Sequence, residues 1–281
     1  MPPPRKRIFL IGNAQKPHVI ETFEKFSAWL TGLGVLAGSD LDCQPDRIKK
    51  ADPDLIIALG GDGTILAVGQ ALRDRQIPIV GVNMGKLGYL ADFSAVEVEE
   101  HLDMILNDHE LVSRRMMLDV RLSRPDSTFE HGIALNDCVI RVAEPFRTVG
   151  LTVYMDDRPV TTIVSDGLIL STPTGSTAHN MACGGPIVQP DVEAIILTPL
   201  CPHSLTHRPI VVGPQTHVGI AVRKTDTGAS LVLDGHYVCP IPGGSHLHVN
   251  RSSESFLLVR NPRRKSWETL VQKLKWGQAL T

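Results

Sequence analysis

Cysteine is scarce and unpaired in this sequence. Cys43, Cys138, Cys183, Cys201 and Cys239 are scattered, odd in number and never spaced as C-x-x-C. This argues against a disulfide framework and reads as reduced thiols in a cytosolic protein. Long apolar runs are missing too. No stretch approaches the roughly 20 apolar residues of a membrane span. The run Ile8 to Ile11 behind the basic start is too short for a signal-peptide core, and it ends at Gly12-Asn13 as a first strand would. The expectation is a soluble, cytoplasmic protein with no membrane partner. Charge of one sign is also lacking: 28 Lys and Arg against 30 Asp and Glu leave a formal net charge of -2. A nucleic-acid partner needs a concentrated basic field, so none is expected. Two nucleotide-binding fingerprints are absent as well. There is no G-x-x-x-x-G-K-[ST], which argues against a P-loop enzyme, and no G-x-G-x-x-G opening a helix.

What is present is 281 residues with 42% hydrophobic content, enough for one large core or two modest ones. The first third alternates. Arg7 to Ile11 reads as a strand, and Val19, Ile20, Phe23, Phe26 and Leu30 recur at helical spacing over 17–32, stopped by Gly32 and Gly34. A buried strand, Leu55 to Leu59, runs into Gly60-Gly61-Asp62-Gly63-Thr64 and a helix carrying Ile65, Leu66, Val68 and Leu72. A strand at Ile77 to Val82 and a helix around Val96 to Leu106 follow. Continuous apolar strands separated by helices predict a parallel sheet covered on both faces. From about residue 111 short β-branched runs crowd together with glycine, proline, Asp-Asp and Asp-Gly turns, among them Leu118 to Leu122, Cys138 to Val142 and Gly167 to Leu170. That pattern predicts an antiparallel sandwich. One short helix is expected at Ser176 to Cys183. A last helix is expected with Trp267, Leu270, Val271 and Leu274 on one face, packing back on the first domain. The expected division is an α/β domain over 1–112, joined by 262–281, and an all-β domain over 113–261.

Gly60-Gly61-Asp62-Gly63-Thr64 is the sharpest chemical feature. It lies between a strand and a helix, where open α/β sheets bind ligands. Its glycines let backbone approach phosphate, and the helix N-terminus offers N–H groups to an anion. A carboxylate there repels phosphate, so Asp62 implies a positive role, as a base for an attacking hydroxyl or a partner of magnesium. The plain alternative is a turn in which Asp62 caps the helix. A second feature is the dense run of hydroxyls from Ser171 to Thr177 at the end of an apolar strand. One of them suits a helix cap; the rest read as a hydrogen-bonding surface for sugar, amide or phosphate. Asn136-Asp137 interrupts an apolar stretch, which alone is an ordinary turn. Cys201, His203 and His207, and His246 and His248, have loosely metal-like spacing but no completing set, so no metal site is assigned. Arg260, Arg263, Arg264 and Lys265 read as a solvated edge before the last helix or as holders of a triphosphate.

Taken together, G-G-D-G-T, Asn83 to Leu90 (N-M-G-K-L-G-Y-L), Leu135-Asn136-Asp137, Asp166 through Gly185, and Asp234-Gly235-His236 closely resemble the NAD kinases, in order and spacing, over residues 5 to 275. G-G-D-G alone is shared with diacylglycerol-type lipid kinases and phosphofructokinases. The hydroxyl-rich block and N-M-G-K-L-G-Y-L are specific to NAD kinases. The resemblance implies a Rossmann-like N-terminal domain, a β-sandwich C-terminal domain and homo-oligomers. It also implies phosphorylation of the adenosine ribose 2′-hydroxyl of NAD by ATP with Mg2+, giving NADP. Asp62 matches the family's catalytic aspartate. Gly61, Asp62, Gly63, Asn136, Asp137, Asp166, Thr177, Ala178, His179, Asn180, Met181 and Ala182 match dinucleotide-contacting positions, and Arg147 and His236 fall where further ligand contacts occur. Three positions depart from the family pattern. His179 stands for a tyrosine, keeping a flat ring that can stack on a base. Asp137 stands for a glutamate and must reach further to a ribose hydroxyl, and Ala182 stands for a serine and lacks its donor. A lipid kinase and a non-catalytic NAD(H) sensor are the alternative functions. The first leaves the hydroxyl block without a role, and an intact Asp62 argues against the second.

Overall fold

The computed structural model describes residues 6–275 except 17, 74, 86–87, 145–146 and 224–227, and leaves the side chains of Tyr237 and Ser266 undescribed. Lys86 and Leu87 of the N-M-G-K-L-G-Y-L stretch therefore lie outside the described residues. The chain divides into one unit of Met1–Arg114 with Phe256–Thr281 and another of Arg115–Ser255.

The first unit begins β1 (Ile8–Gly12), α1 (Val19–Gly32), β2 (Leu36–Asp40), α2 (Pro45–Ala51) and β3 (Leu55–Gly60). It continues with α3 (Asp62–Leu72), β4 (Ile79–Asn83) and α4 (Ala95–Asn107). The strands are parallel in the order β2-β1-β3-β4, and β4 meets Leu258 of the chain's final strand. Every residue of β1 and β3 is buried, the burial that two covered faces require. Val19, Phe26 and Leu30 of α1 and Val98, Leu102 and Ile105 of α4 fill the core with Leu10, Ile57 and Val80. Ser94 starts α4 with a capping box: its hydroxyl accepts the Glu97 N–H at 3.2 Å, and the Glu97 carboxylate accepts the Ser94 N–H at 2.7 Å. Periodicity did not reveal β2 or α2. The first is a half-buried strand carrying Gly38 and Ser39, and the second has Ile48 as its buried residue.

The second unit takes most of β5 (Val112–Ser123), then β6 (Phe129–Ala134), β7 (Asp137–Val142), β8 (Val149–Met155), β9 (Arg158–Ser165) and β10 (Gly167–Ser171). After α5 (His179–Ala182) come β11 (Ile195–Leu200), β12 (Ile210–Val212), β13 (Val218–Val222), β14 (Ala229–Leu233), β15 (His236–Ile241) and much of β16 (His246–Val259). One antiparallel sheet runs β12-β11-β10-β7-β14-β15, and β16-β13-β8-β9 form another antiparallel run, with β5 paired to β6. Leu118, Leu151 and Ile220 from the second set pack with Ile140, Leu168 and Leu231 from the first, making a sandwich core. The expected helix at Ser176 to Cys183 is broken. A single 3-10 turn, Gly175–Thr177, precedes the four residues of α5, because Ala178 leaves helical geometry at φ -98°, ψ -127°. His246 and His248 alternate with buried Leu247 and Val249 on β16 and stand exposed. Helix α6 (Ser266–Leu274) belongs to the first unit, which the chain rejoins from Phe256 rather than 262. Trp267 of its expected apolar face remains exposed.

Candidate active site

In the first unit the site grows from the end of β3. Gly60 lies so close to α3 that a Cβ there would come within 2.2 Å of the Thr64 hydroxyl oxygen. The chain extends through Gly61 and turns directly into α3 at Asp62. The Asp62 carboxylate does not cap its own helix. It turns to the loop after β4, where Oδ2 accepts the Tyr89 N–H at 2.9 Å and Oδ1 accepts those of Leu90 and Ala91 at 2.9 and 3.0 Å. Gly88 is buried beside it, and a Cβ there would sit 2.0 Å from Asp62 Oδ1. The stretch Tyr89-Leu90-Ala91, with Gly88 packed against it, is thus a backbone cradle for one carboxylate. Two lysines that sequence reasoning missed flank this loop. Lys16 Nζ lies 3.2 Å from where a Cβ on Gly61 would stand, and Lys273 Nζ, on α6, lies 4.0 Å from Asp62 Oδ2. Neither belongs to a motif, so nothing in the sequence marked them.

Three arginines of the basic cluster before α6 are engaged within the protein. Arg264 pairs with Asp92 and Glu97, both at 3.1 Å, Arg263 with Glu100 at 3.1 Å, and Arg260 donates to the Glu110 carbonyl at 3.1 Å. These contacts anchor α6 and leave Arg264 poorly disposed to hold a triphosphate.

In the second unit the site is built around Asp234. Asp234 and Gly235 both take positive φ, 48° and 81°, the two-residue hairpin turn that joins β14 to β15. From that turn the Asp234 carboxylate accepts the backbone N–H groups of Leu135 at 2.9 Å, Asn136 at 2.7 Å and Asp137 at 3.0 Å. On its other side the 135–137 segment is clamped by the hydroxyl-rich block. Thr172 donates its hydroxyl to the Leu135 carbonyl and its N–H to the Asn136 carbonyl at 2.9 Å. Gly175 approaches so closely that a Cβ would lie 2.0 Å from the Asn136 oxygen.

The hydroxyl block therefore differs from the expected ligand-facing surface. Ser171 donates to Asn136 and Thr172 carbonyls, Ser176 to Pro173 at 2.6 Å, and Thr177 weakly to Thr174 at 3.4 Å. A chain leaving a strand for irregular backbone has carbonyls to satisfy, and these hydroxyls satisfy them. Thr174 is the exception: its hydroxyl is buried with no partner among the described residues. Asn180, matched to a dinucleotide contact, is fully buried, and its amide is taken up by the protein. It donates to Ser176 and Pro186 carbonyls and accepts from Thr198 at 2.6 Å. It holds the turn at Gly185. Arg147, Asp166, His179, Ala182 and His236 are exposed, and Thr177, Ala178 and Met181 half-buried. The second unit thus holds Asn136 and Asp137 in one clamp built by Asp234, Thr172 and Gly175, with the 177–182 segment following from Gly175, while Gly61, Asp62 and Gly63 belong to the first unit.

Asp137 is only 4% exposed. Burial, and then the neighbouring Asp234 charge, push its carboxyl up from the ordinary 3.8 to about 7. The sign of the pH effect follows. Below 3.8 the folded and unfolded chains both hold this proton. As pH rises towards 7 the unfolded chain ionises first, so stability falls, and it levels off above 7. Asp137→Asn removes that slope. Urea unfolding at pH 5 and pH 8 should find the variant the more stable protein at pH 8, by roughly 2–4 kcal/mol, and about equal to the parent at the lowest pH. A wild-type slope kept in the variant would assign the titration elsewhere.

Comparison with known proteins decides the family. Residues 40–110 match the ATP-NAD kinase N-terminal domain and residues 135–261 the ATP-NAD kinase C-terminal domain. The NAD kinase of Geotalea daltonii is 34% identical over 97% of this chain and 99% of its own. The chain belongs to the NAD kinase family. Among solved structures, the NAD kinase from Archaeoglobus fulgidus in complex with ATP is 27% identical with a TM-score of 0.77, covering 96% of this chain and 98% of that one. Yeast NADH kinase complexed with NADH shares the fold at a TM-score of 0.89 and 23% identity, over 99% of this chain and 90% of that one. The α/β unit followed by a β-sandwich unit is the NAD kinase fold. No helix among the described residues is long and apolar enough to cross a membrane.

Proposed function

We propose that this NAD kinase-family enzyme transfers the γ-phosphoryl group of ATP to the adenosine ribose 2′-hydroxyl of NAD, with Asp62 as general base. One observation carries the assignment of the base. A carboxylate offers about four acceptor positions. In Asp62 three are taken by the N–H groups of residues 89–91, two on Oδ1 and one on Oδ2. Among the described residues, the remaining position is on Oδ2, fixed in direction and next to a glycine loop suited to phosphate. An incoming hydroxyl donates there. As its oxygen bonds to the γ-phosphorus, the bond from that phosphorus to the β-phosphate oxygen breaks, the proton passes to Oδ2, and ADP leaves. Such transfer depends mainly on positioning and charge neutralisation.

Magnesium enters this reading as a complex with the phosphates of ATP and neutralises their charge. Among the described residues no three His, Cys, Asp or Glu groups converge on one point to hold it independently. Asn136 and Asp137, fixed by Asp234, orient the dinucleotide, and His179 offers a ring to a base. The test is purified protein with ATP and magnesium, offered NAD in one arm and diacylglycerol vesicles in another. NADP formed from NAD supports the proposal. Phosphorylated lipid, or saturable NAD binding without NADP, would overturn it in favour of a lipid kinase or a sensor.

The cradle adds a further expectation. Gly88→Ala forces a methyl group against Asp62 Oδ1, so the carboxylate must shift. We expect kcat to fall by about 10²-fold or more, the order lost when a general base is misplaced, with NAD affinity kept. A variant with parental kcat would show that the cradle is not needed.

A further inference from the structure

Lys273 is a half-buried lysine whose ammonium makes two long contacts among the described residues. Its side chain is 25% exposed. It stands 4.0 Å over the centre of the Tyr89 ring and 4.0 Å from Asp62 Oδ2. Both contacts are longer than a hydrogen bond, and among the described residues no oxygen stands within hydrogen-bond reach of Nζ. The Tyr89 hydroxyl is likewise buried with no partner among the described residues. Burial lowers the readiness of Lys273 to hold its proton, and Asp62 opposes that. A desolvated cation costs free energy unless it is paired. Here the partial compensation comes from a ring face and a carboxylate held at arm's length. Among the described residues, none of the three donors of the ammonium is taken by a hydrogen bond.

What those donors can meet follows from the proposed base. A hydroxyl bonded to Oδ2 lies about 2.6–3.2 Å from it, and the phosphorus it attacks is about 3–3.5 Å further. Three oxygens of the transferring group therefore come within a short swing of Nζ on its flexible stem. The helix that carries Lys273 is fixed at its start by the Arg264 pairs with Asp92 and Glu97, and the Glu268 carboxylate accepts the Lys265 N–H at 3.2 Å. Its ammonium is thus delivered to one place.

We propose that Lys273 is a ligand of the donor triphosphate, resting on Asp62 and Tyr89 in the free enzyme and bonding the γ-phosphoryl oxygens during transfer. The ammonium stays protonated throughout. The bonds made and broken are those already given for the transfer, and Lys273 neutralises charge on the group in flight. This rests on the kinase reading with Asp62 as base.

The test is steady-state NADP formation by the full chain carrying Lys273→Met or Lys273→Arg, with NAD binding measured by titration. The expected result for Lys273→Met is a fall of about 10²-fold or more in kcat/KM for ATP, with the NAD dissociation constant changed less than about twofold. That is the effect of removing a single charge-stabilising donor. Lys273→Arg should recover at least tenfold, because it restores the positive charge. Parental kcat and KM for ATP in Lys273→Met would overturn the proposal. So would an equal loss for both substrates that follows a lowered melting temperature, since that marks a packing role. If Lys273→Met does not fold, Lys273→Gln is read by the same criteria. If the wild type makes no NADP, the kinase reading itself has failed, and the lysine proposal with it.

Discussion

Asp234→Ala is expected to unfold at markedly lower denaturant and to bind NAD poorly. The three N–H groups of residues 135–137 share one carboxylate as their acceptor. Leu135 is buried, Asp137 is nearly so, and Asn136 is half-covered, so water replaces little of what is lost. Hydrogen bonds to a charged group contribute roughly 1.5–3 kcal/mol each, and buried N–H groups left unmade cost about as much. Because the deletion also relieves Asp137 of a like charge, the sum does not appear in full. A net loss of roughly 3–5 kcal/mol is expected at pH 5, and a smaller one at pH 8, where the parent already bears the cost of an ionised Asp137. Asp234→Asn keeps one acceptor oxygen and should fall between the two. With the turn loosened, KM for NAD should rise more than tenfold while KM for ATP changes little. Urea unfolding and steady-state kinetics on the same preparations measure both. A variant that melts and binds NAD like the parent would mean that Thr172 and Gly175 suffice to hold the turn.

Much of this was legible in the sequence, for identifiable reasons. Unbroken apolar runs such as Leu55 to Leu59 leave a strand buried on both faces as the natural reading, and Gly60-Gly61-Asp62-Gly63 marked where the chain turns tightly from strand into helix. Those runs and the crowded short strands beyond residue 111 pointed to a covered parallel sheet followed by an antiparallel sandwich. The motif resemblance, not the runs, tied the pair to the NAD kinase fold. Elements without an apolar signature stayed hidden. Strand β2 is half-buried, α2 has a single buried Ile48, and β9 carries Pro159 among exposed residues. The hydroxyl block was correctly singled out as unusual, yet composition does not say whether a hydroxyl faces a ligand or its own backbone. Ser171, Thr172 and Ser176 face backbone. Asn180 shows the same limit, since a motif match is silent on whether an amide is spent inside the fold. Lys273 was out of reach altogether. Its place beside Asp62 depends on contacts between residues 62, 89 and 273, far apart in the chain, and on a cluster of arginines whose partners are fixed only by packing.

Asp62→Asn should give the largest catalytic loss of any single conservative change. Asparagine keeps the size of the side chain, and its carbonyl oxygen can still accept from part of the cradle. Its NH2 group, however, would point donors at N–H groups of residues 89–91 that need acceptors. The variant therefore loses the proton acceptor and part of its aim together. General base catalysis typically contributes about 10²–10⁴ in rate, so kcat should fall by about 10²-fold or more. The dinucleotide contacts proposed at Asn136, Asp137 and the 177–182 segment are untouched in the variant, so NAD should still saturate it. The most direct measurement runs wild type and Asp62→Asn side by side with NAD, ATP and magnesium, reading NADP by a coupled dehydrogenase and NAD affinity by titration. The account predicts steady NADP formation in the wild type, a fall of at least two orders of magnitude in the variant, and matching NAD affinity in both. NADP formed at the parental rate by Asp62→Asn would contradict it.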